Sequence, residues 1–217
     1  MGRSQAAKAE THDRIVQIAS ERFREAGLDG VSVADLMKEA GLTVGGFYKH
    51  FTTREDLVAE AVARGQGAWL ARTANAASEE DKPTIAEWID DYLSVAHRDT
   101  PGQGCVVGAL VGEIARSGPQ TRAVFTEGFK DTLVLLIDRL RAADNEADNA
   151  MLRRTAISIC CAMIGAIGAA RAVDDPALSE EIMRSTAAQL KTLALPPEAT
   201  RRPGVSGRQS PRSQVSK

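Results

Sequence analysis

Apolar residues recur at helical spacing along nearly the whole chain, and no segment shows the sustained apolar–polar alternation of a β-strand. Aromatic residues make up only 4% of the chain, and alanine, the strongest helix former, dominates many segments. With 43% hydrophobic and 26% charged residues, the 217-residue chain has the balance of a folded globular protein. The sequence therefore predicts an all-α fold.

Helix starts and stops are placed by capping residues and glycines. Ser32 with Asp35 and Thr52 with Glu55 have the spacing of capping boxes, and Gly27 and Gly41 are each expected to end a helix. About nine helices are predicted. They cover residues 11–26, 32–40, 43–50, 53–76, 85–93, 105–116, 119–140, 148–173 and 177–193.

The net charge of −2 requires any contact with nucleic acid to be local. The N-terminus lacks the apolar region of a secretory signal, and the apolar run over 155–170 is shorter than the roughly 20 residues of a membrane span, which favours a buried helix. No partnership with a membrane is expected. Cys105, Cys160 and Cys161 lack the spacing of a metal site or disulfide framework, so a reducing cytoplasm is predicted.

The most informative segment runs from Ser32 to Leu57 and reads SVADLMKEAGLTVGGFYKHFTTREDL. Two short predicted helices are joined across residues 40–42, which is the layout of a helix-turn-helix, and the helix over 11–26 braces them. The positions predicted to face inward are Ile15, Ala19, Phe23, Leu36, Ala40, Leu42, Val44, Phe47 and Phe51. The outer face of the second helix then carries Thr43, Gly45, Gly46, Tyr48 and Lys49.

This segment resembles the DNA-binding domain of the TetR family of bacterial transcriptional regulators. GLTVGGFYKHF followed by TREDL matches that family's short recognition helix, Tyr, basic or aromatic residue, His, aromatic residue and capped fourth helix. The resemblance covers residues 15–62. It implies a three-helix DNA-binding domain over 11–54 and a helical effector-binding and dimerisation domain over 55–195. A flexible N-terminal arm is expected over 1–10 and a disordered basic tail over 196–217.

The resemblance places a set of residues at or near double-stranded operator DNA. These residues are Ser32, Thr43, Val44, Gly45, Gly46, Tyr48, Lys49, His50 and Thr53. Lys49 suits a phosphate or a guanine edge, and Tyr48 suits a phosphate, although both also fit a solvated face. Thr43 is expected to cap the recognition helix, and Thr52 or Thr53 to cap the next one.

Two features of this segment leave alternatives open. Gly45 and Gly46 indicate either close approach of the backbone to DNA or a marginal helix start. His50 fits either a phosphate contact or a structural hydrogen bond. His12 and His97 are isolated in the sequence and are predicted to be surface residues.

The remaining helices are expected to form the effector-binding and dimerisation domain that the resemblance implies. Small residues over 157–170 and apolar residues over 178–190 favour these two helices as the dimer contact, although an intrachain core gives the same pattern. A pocket for a mostly apolar or aromatic effector is predicted where the large side chains gather, and each is equally suited to plain core. The candidates are Trp69, Trp88, Tyr92, Cys105, Phe125, Phe129 and Met163.

Cys105 admits a second interpretation, because it opens a predicted helix whose dipole lowers the pKa of a thiol. A redox- or electrophile-sensing regulator is therefore the alternative to small-molecule release, with core packing as the simpler role of this residue. The glycines at 102, 104 and 108 do not have dinucleotide-binding spacing, so no cofactor is expected. Neither a catalytic motif nor a metal-ligand set is found, which leaves an all-α enzyme or partner-binding module as weaker rivals.

Overall fold

A computed structural model describes residues 2–74, 82–144 and 147–195, and every regular element in these ranges is helical. The α-helices are α1 (Gly2–Ala26), α2 (Val33–Glu39), α3 (Arg54–Ala74), α4 (Ile85–Tyr92), α5 (Val95–Asp99), α6 (Val106–Ile114), α7 (Pro119–Ala143), α8 (Asn149–Ala172) and α9 (Pro176–Ala194). Short 3₁₀ helices cover Val44–Lys49 and Pro101–Gln103. The all-α prediction is confirmed. The predicted tail over 196–217 lies outside the described residues.

The N-terminal boundary differs from the prediction, because α1 begins at Gly2 and not near Thr11. The stretch expected to be a flexible arm is therefore helical from residue 2 to residue 10. Alanines at 6, 7 and 9 favour this extension. The hydroxyl of Thr11 donates to the carbonyl of Ala7 (2.8 Å), as a residue inside a helix does, and does not cap a helix start.

We call α1, α2 and the 3₁₀ helix Val44–Lys49 the head, and α4–α9 the body; α3 joins the two. The buried apolar residues of the head belong to one hydrophobic core that continues into the body; they are Ile15, Ala19, Phe23, Leu36, Met37, Phe47 and Phe51. Gly27 (φ 80°) ends α1 and Gly41 (φ 72°) follows α2, both in the left-handed region that favours glycine. The predicted helix stops are confirmed.

The second helix of the predicted helix-turn-helix is a 3₁₀ helix. Its backbone bonds span three residues, as from the amide of Gly46 to the carbonyl of Thr43 (2.9 Å). Two consecutive glycines explain the departure from α geometry, because each lowers α-helix stability by about 0.5–1 kcal/mol relative to alanine. Thr43 has the extended backbone of an N-cap, but its side chain makes no capping hydrogen bond, so that prediction is wrong.

In the body, α8 packs against α6, α7 and α9, and α3 packs along α7. Helix α8 has the length and mean hydropathy (1.6) of a membrane-spanning helix. It is nevertheless part of the body, because Leu152, Ile159, Met163 and Ile167 are buried against neighbouring helices. Its apolar character comes from this core face and from a second face that the single chain leaves exposed.

Candidate DNA-contacting face and ligand cavity

The outward face of the 3₁₀ helix exposes polar and small side chains. Tyr48 is 74% exposed and Val44 50% exposed, and Thr43, Gly45 and Lys49 are also exposed. Val44 therefore does not face inward as the apolar pattern suggested. Phe47, on the opposite side, is buried and fixes the orientation of this face by packing edge-on against Tyr48 with ring centroids 5.3 Å apart.

The two glycines of this face are not required by the packing of the chain. A Cβ atom at Gly45 would meet nothing within 4 Å, and one at Gly46 would be in ordinary contact with Met37 at 3.5 Å. Neither glycine has a positive φ. Within the described structure, alanine would fit at both positions.

His50 lies half-buried behind this face in an aromatic cluster. Its ring is 5.9 Å from that of His12, which stacks on Phe51 at 4.5 Å and pairs with Glu60 (2.6 Å). The Nδ1 atom of His50 finds no hydrogen-bond partner among the described residues, and burial lowers the pKa of this side chain. His12 is thus half-buried rather than an isolated surface residue. For His50, the described residues supply no hydrogen bond to Nδ1.

Ser32 and Thr53 use their hydroxyls inside the chain. The Ser32 hydroxyl accepts from the amide of Asp35 (3.1 Å), which confirms the first predicted capping box. The second box lies one residue later than predicted: the Thr53 hydroxyl accepts from the amide of Asp56 (3.2 Å), whose carboxylate accepts from the Thr53 amide (2.7 Å). Each of these helix ends therefore already holds a carboxylate, Asp35 or Asp56. Hydrogen bonds with the capping residue lower the pKa of each carboxylate.

A cavity of about 500 Å³ lies between the C-terminal half of α3, α4, α5 and the loop that follows α5. We call it the indole cavity, because both tryptophans of the chain line it. Its walls are Trp69, Arg72, Pro83, Glu87, Trp88, Asp91, Ser94, Ala96, His97, Thr100, Gln103 and Gly104. Its size is within the usual range for small-molecule sites.

Only Trp69 and Trp88 of the predicted pocket residues line the indole cavity. Tyr92 lies behind the wall, with its ring packed edge-on against that of Trp69 at 5.4 Å. Met163 is buried in the core, and Phe125 and Phe129 stack on each other at 5.6 Å along α7. Tyr92, Cys105, Phe125, Phe129 and Met163 are therefore outside this lining. Their positions fit the alternative interpretation of these five residues, in which they belong to the core and do not line a pocket.

His97 is part of the wall, and the prediction that it is a surface residue is wrong. Its ring stacks on Trp69 at 4.9 Å. Nδ1 lies 2.6 Å from the carbonyl oxygen of Tyr92, and Nε2 accepts from the amide of Cys105 (2.9 Å). These partners select the neutral tautomer with its proton on Nδ1, and burial lowers the pKa of the ring.

Cys105 opens α6 as predicted, and its side chain is buried. Burial raises the pKa of this thiol, which fits the core-packing interpretation better than the sensing alternative. Burial also raises the pKa of Cys160 to about 12. Cys161 is the exposed cysteine of the three.

A second concavity, which we call the α3–α7 groove, has a volume of about 670 Å³. Gln66 lies at its floor and donates from Nε2 to the carbonyl of Phe125 (3.1 Å). A Cβ atom at Gly128 would come within 2.4 Å of the Gln66 amide, so this glycine permits the close approach of α7 to α3. No aromatic residue lines the groove within the described ranges.

The head is joined to the wall of the indole cavity by a buried arginine. Arg24 on α1 donates from Nε to the carbonyl oxygen of Gly102 (3.0 Å), and a second N–H of the same guanidinium donates to the same oxygen. Its remaining terminal nitrogen donates to Ser20 (2.8 Å), whose hydroxyl donates to the carbonyl of Ala61 on α3 (2.8 Å). Arg24 and Ser20, both on α1, thus connect this helix to the cavity loop and to α3.

Residues 15–61 match the family described as bacterial regulatory proteins, tetR family. The chain is 26% identical over 121 residues to the HTH-type transcriptional repressor DhaR of Mycobacterium sp. (strain GP1). That match covers 56% of this chain and 59% of DhaR, so it spans less than two thirds of the curated relative.

Solved structures agree with the fold at low sequence identity. The reduced form of Escherichia coli NemR superimposes with a TM-score of 0.69 and 17% identity, covering 84% of this chain and 96% of NemR. AibR, solved in complex with isovaleryl coenzyme A and operator DNA, gives a TM-score of 0.56 and 16% identity, covering 86% and 99% of the two chains. These two solved structures therefore share the helical fold of this chain.

Proposed function

Because the chain belongs to the TetR family, we propose that it is a transcriptional repressor that binds operator DNA as a homodimer and is released by a small molecule. The DNA-binding domain is assigned to residues 11–54, the effector and dimerisation domain to 55–195, and the location to the cytoplasm. The observation that carries the proposal is the 3₁₀ helix of the head, which presents exposed Tyr48 and Lys49 beside two glycines that the chain itself does not require.

The head suits DNA for reasons of charge and shape. Lys49 supplies a cation for phosphate or for a guanine edge, and the Tyr48 hydroxyl can donate to phosphate. Gly45 and Gly46 let the backbone come close to the groove. Thr43 and Val44 begin the same face, and His50 supports it from behind. Ser32 and Thr53 are assigned to helix capping, because their hydroxyls and amides are already bonded within the chain.

A second copy of the chain is the proposed occupant of the exposed face of α8. This face carries Ile157, Cys161, Gly165, Gly168 and Ala169 at helical spacing, and Ile157 is 38% exposed. A Cβ atom at Gly165 or Gly168 would meet nothing within 4 Å, so the glycines are not needed by the single chain. Small residues there allow two α8 helices to approach closely, and α9 flanks them. Two-fold symmetry then implies a pseudo-palindromic operator.

The effector is proposed to bind in the indole cavity. Trp69 lies in the C-terminal half of α3, whose N-terminal end follows the head directly, so a ligand beside Trp69 acts on a helix shared by both parts. The hydrogen bonds from Arg24 to Gly102 give a second connection from the cavity loop to α1. A preference of the ligand for the DNA-incompetent arrangement by about 1–3 kcal/mol is enough for release.

A gel-shift titration with DNA from beside the chain's own gene tests the proposal. We expect a retarded complex that is lost when Lys49 and Tyr48 are both replaced by alanine, and kept when Lys130, on α7, is replaced by alanine. Absence of a complex with every flanking fragment, at protein concentrations where the dimer is formed, would contradict DNA binding. A complex equally resistant to Lys49→Ala and Tyr48→Ala would place the contact elsewhere.

A further inference from the structure

We propose that the effector is a flat aromatic cation, and that it takes the position over the Trp69 ring that the guanidinium of Arg72 now occupies. This inference rests on the proposed function, because it names the chemical class of the effector. It goes beyond the apolar or aromatic effector expected from the sequence, because it fixes the sign of the ligand's charge and the side chain that competes with it.

The first observation is a cation that already lies on an aromatic wall of the cavity. The central carbon of the Arg72 guanidinium lies over the Trp69 ring, 5.0 Å from its centroid, and both side chains line the cavity. A positive charge in this position is attracted by the negative face of the indole ring. The Arg72 side chain is exposed, so it can leave the ring without disturbing the core.

The second observation is that carboxylates outnumber cations on the cavity wall. Glu87 and Asp91 both line the cavity, and they lie four residues apart on α4, so they are on the same side of that helix. Arg72 is the one basic side chain among the lining residues described. His97 is neutral, because its Nε2 accepts from the amide of Cys105 and burial lowers the pKa of the ring. When Arg72 moves away, two negative charges remain beside the aromatic rings.

A further cation, Arg24, lies behind the cavity loop and does not offset these carboxylates. Its guanidinium donates to the carbonyl oxygen of Gly102, and Glu21 and Glu25 on the same helix provide opposite charges near it. The loop itself presents uncharged residues to the cavity. The charge that a ligand meets is therefore set by the wall and not by α1.

The aromatic rings determine the shape of the ligand. Trp69 and Trp88 are both on the wall, and the His97 ring stacks on Trp69 with centroids 4.9 Å apart. Such walls favour a flat aromatic ligand, which can place its face or its edge against them. A ligand whose positive charge belongs to its ring system contacts the rings and the carboxylates with the same group. The wall opposes a polyanion such as a coenzyme A ester, the class of ligand seen with AibR, because the phosphates of such a ligand need several cations.

Three probes of similar shape and different charge test the proposal by calorimetric titration of the full chain. N-methylquinolinium is a flat cation, α-methylnaphthalene is its neutral isostere, and α-naphthoate is an anion of similar size. We expect the cation to bind about three- to tenfold more tightly than the neutral probe, and the anion to bind most weakly. Higher salt should reduce the preference for the cation, because Glu87 and Asp91 are exposed. A neutral probe or an anion that binds as tightly as the cation would overturn the proposal.

Two variants that each neutralise one exposed charge separate the roles of the wall residues. Arg72→Gln removes the competing cation, so the affinity for N-methylquinolinium should rise about three- to tenfold. Asp91→Asn removes a carboxylate and should lower that affinity several-fold. The controls Arg122→Gln and Asp131→Asn make the same changes in net charge on the exposed surface of α7, outside the cavity lining, and should leave the affinity unchanged. An affinity that falls or stays constant in Arg72→Gln would refute the competition.

Two cavity-filling variants locate the binding. Ala96 and Ala123 are both exposed alanines, one lining the indole cavity and the other lining the α3–α7 groove. Ala96→Leu is expected to weaken N-methylquinolinium about tenfold or more, because the larger side chain fills the space, whereas Ala123→Leu leaves its affinity unchanged. The reverse result, or no measurable binding of the cation, would refute the site. Operator binding without probe is measured in parallel, and its absence would count against the proposed function and not against the ligand class.

Discussion

The guanidinium of Arg24 donates two hydrogen bonds to the carbonyl oxygen of Gly102, so the first helix of the head is fastened to the loop that closes the indole cavity. Gly102 has no side chain to obstruct this contact: a Cβ atom there would lie 2.5 Å from the carboxylate of Glu25, also on α1. A ligand that moves the loop therefore has to move α1 or break the contact.

Replacing Arg24 by glutamine is expected to separate ligand binding from DNA release. The variant should lose about 1–3 kcal/mol of unfolding free energy, because two buried hydrogen bonds to the Gly102 carbonyl oxygen and one hydrogen bond to Ser20 are removed. The ratio of operator affinities without and with a saturating effector bound in the indole cavity should fall several-fold toward one.

Arg22→Gln is the matched control for this change. Arg22 lies on the same helix but makes exposed ion pairs with Glu25 and Glu39, which contribute little. Its operator-affinity ratio should equal that of the unmodified protein. If Arg24→Gln also kept the full ratio, the Gly102 contact would have no part in release.

Gly45→Ala should stabilise the protein and weaken DNA binding at the same time. Alanine fits the open space at this position and raises helix stability by up to about 1 kcal/mol, while its methyl group would obstruct the proposed backbone approach to DNA. Thermal unfolding and gel-shift titrations measure the two effects. Gly112→Ala, at an exposed position on α6 with equally open space, should show the stabilisation alone. An unchanged operator affinity in Gly45→Ala would assign the glycines to helix geometry.

Lys49→Ala distinguishes a phosphate contact from base recognition. Loss of a phosphate contact reduces the slope of log affinity against log salt by about one unit and affects all sequences alike. Loss of a guanine contact instead relaxes specificity at one base pair by about 1–3 kcal/mol. Lys130→Ala, on the exposed surface of α7, should change neither quantity. Identical behaviour of the two variants would remove Lys49 from the interface.

Gly165→Arg should convert the dimer to monomers without unfolding the chain. The single chain leaves open space at this position, so the arginine is tolerated until a second copy approaches. Sedimentation should show half the mass of the unmodified protein, with an unchanged helical circular dichroism spectrum. Gly112→Arg, equally open but on α6, should remain dimeric. A dimeric Gly165→Arg protein would exclude this face of α8.

Thiol alkylation tests the alternative in which Cys105 is a sensor. Because burial raises the pKa of Cys105 and of Cys160, both should remain protonated and unmodified by iodoacetamide at pH 7.5. In the Gly165→Arg monomer, Cys161 should be the thiol that reacts first, because it is the exposed one. Peptide mass mapping identifies the labelled residue, and denaturant should expose all three. Preferential labelling of Cys105 in the folded protein would restore the sensor interpretation.

Local signals carried most of the fold prediction. Helical spacing, the Ser32 capping box and the glycines that follow α1 and α2 act within a few residues, and the structure has the corresponding helix ends. The errors arose where local signals compete. Gly45 and Gly46 shift a recognised helix to 3₁₀ geometry, and Ser94 caps the short helix α5, which the sequence pattern did not predict.

The cavity was less predictable, because apolar spacing does not separate a residue that lines a space from one that fills it. Trp69 and Trp88 line the cavity, whereas Met163, with the same apolar character, is enclosed in the core. His97 was missed because its partners are backbone groups, the carbonyl of Tyr92 and the amide of Cys105, brought together by the turn after α5. Only the path of the loop reveals that arrangement.

The glycines on the exposed face of α8, Gly165 and Gly168, have a consequence for how repression depends on the amount of protein in the cell. If two chains must meet before either half of an operator is held, operator occupancy at low expression rises with the square of the number of chains and not in proportion to it. Each additional protomer then adds little operator occupancy until the protomer concentration exceeds the dissociation constant of the dimer. Near that concentration the stability of the fold also depends on protomer concentration. A promoter repressed in this way would be active after cell division dilutes the protein. Its transcription would stop abruptly once the number of protein copies in the cell recovers.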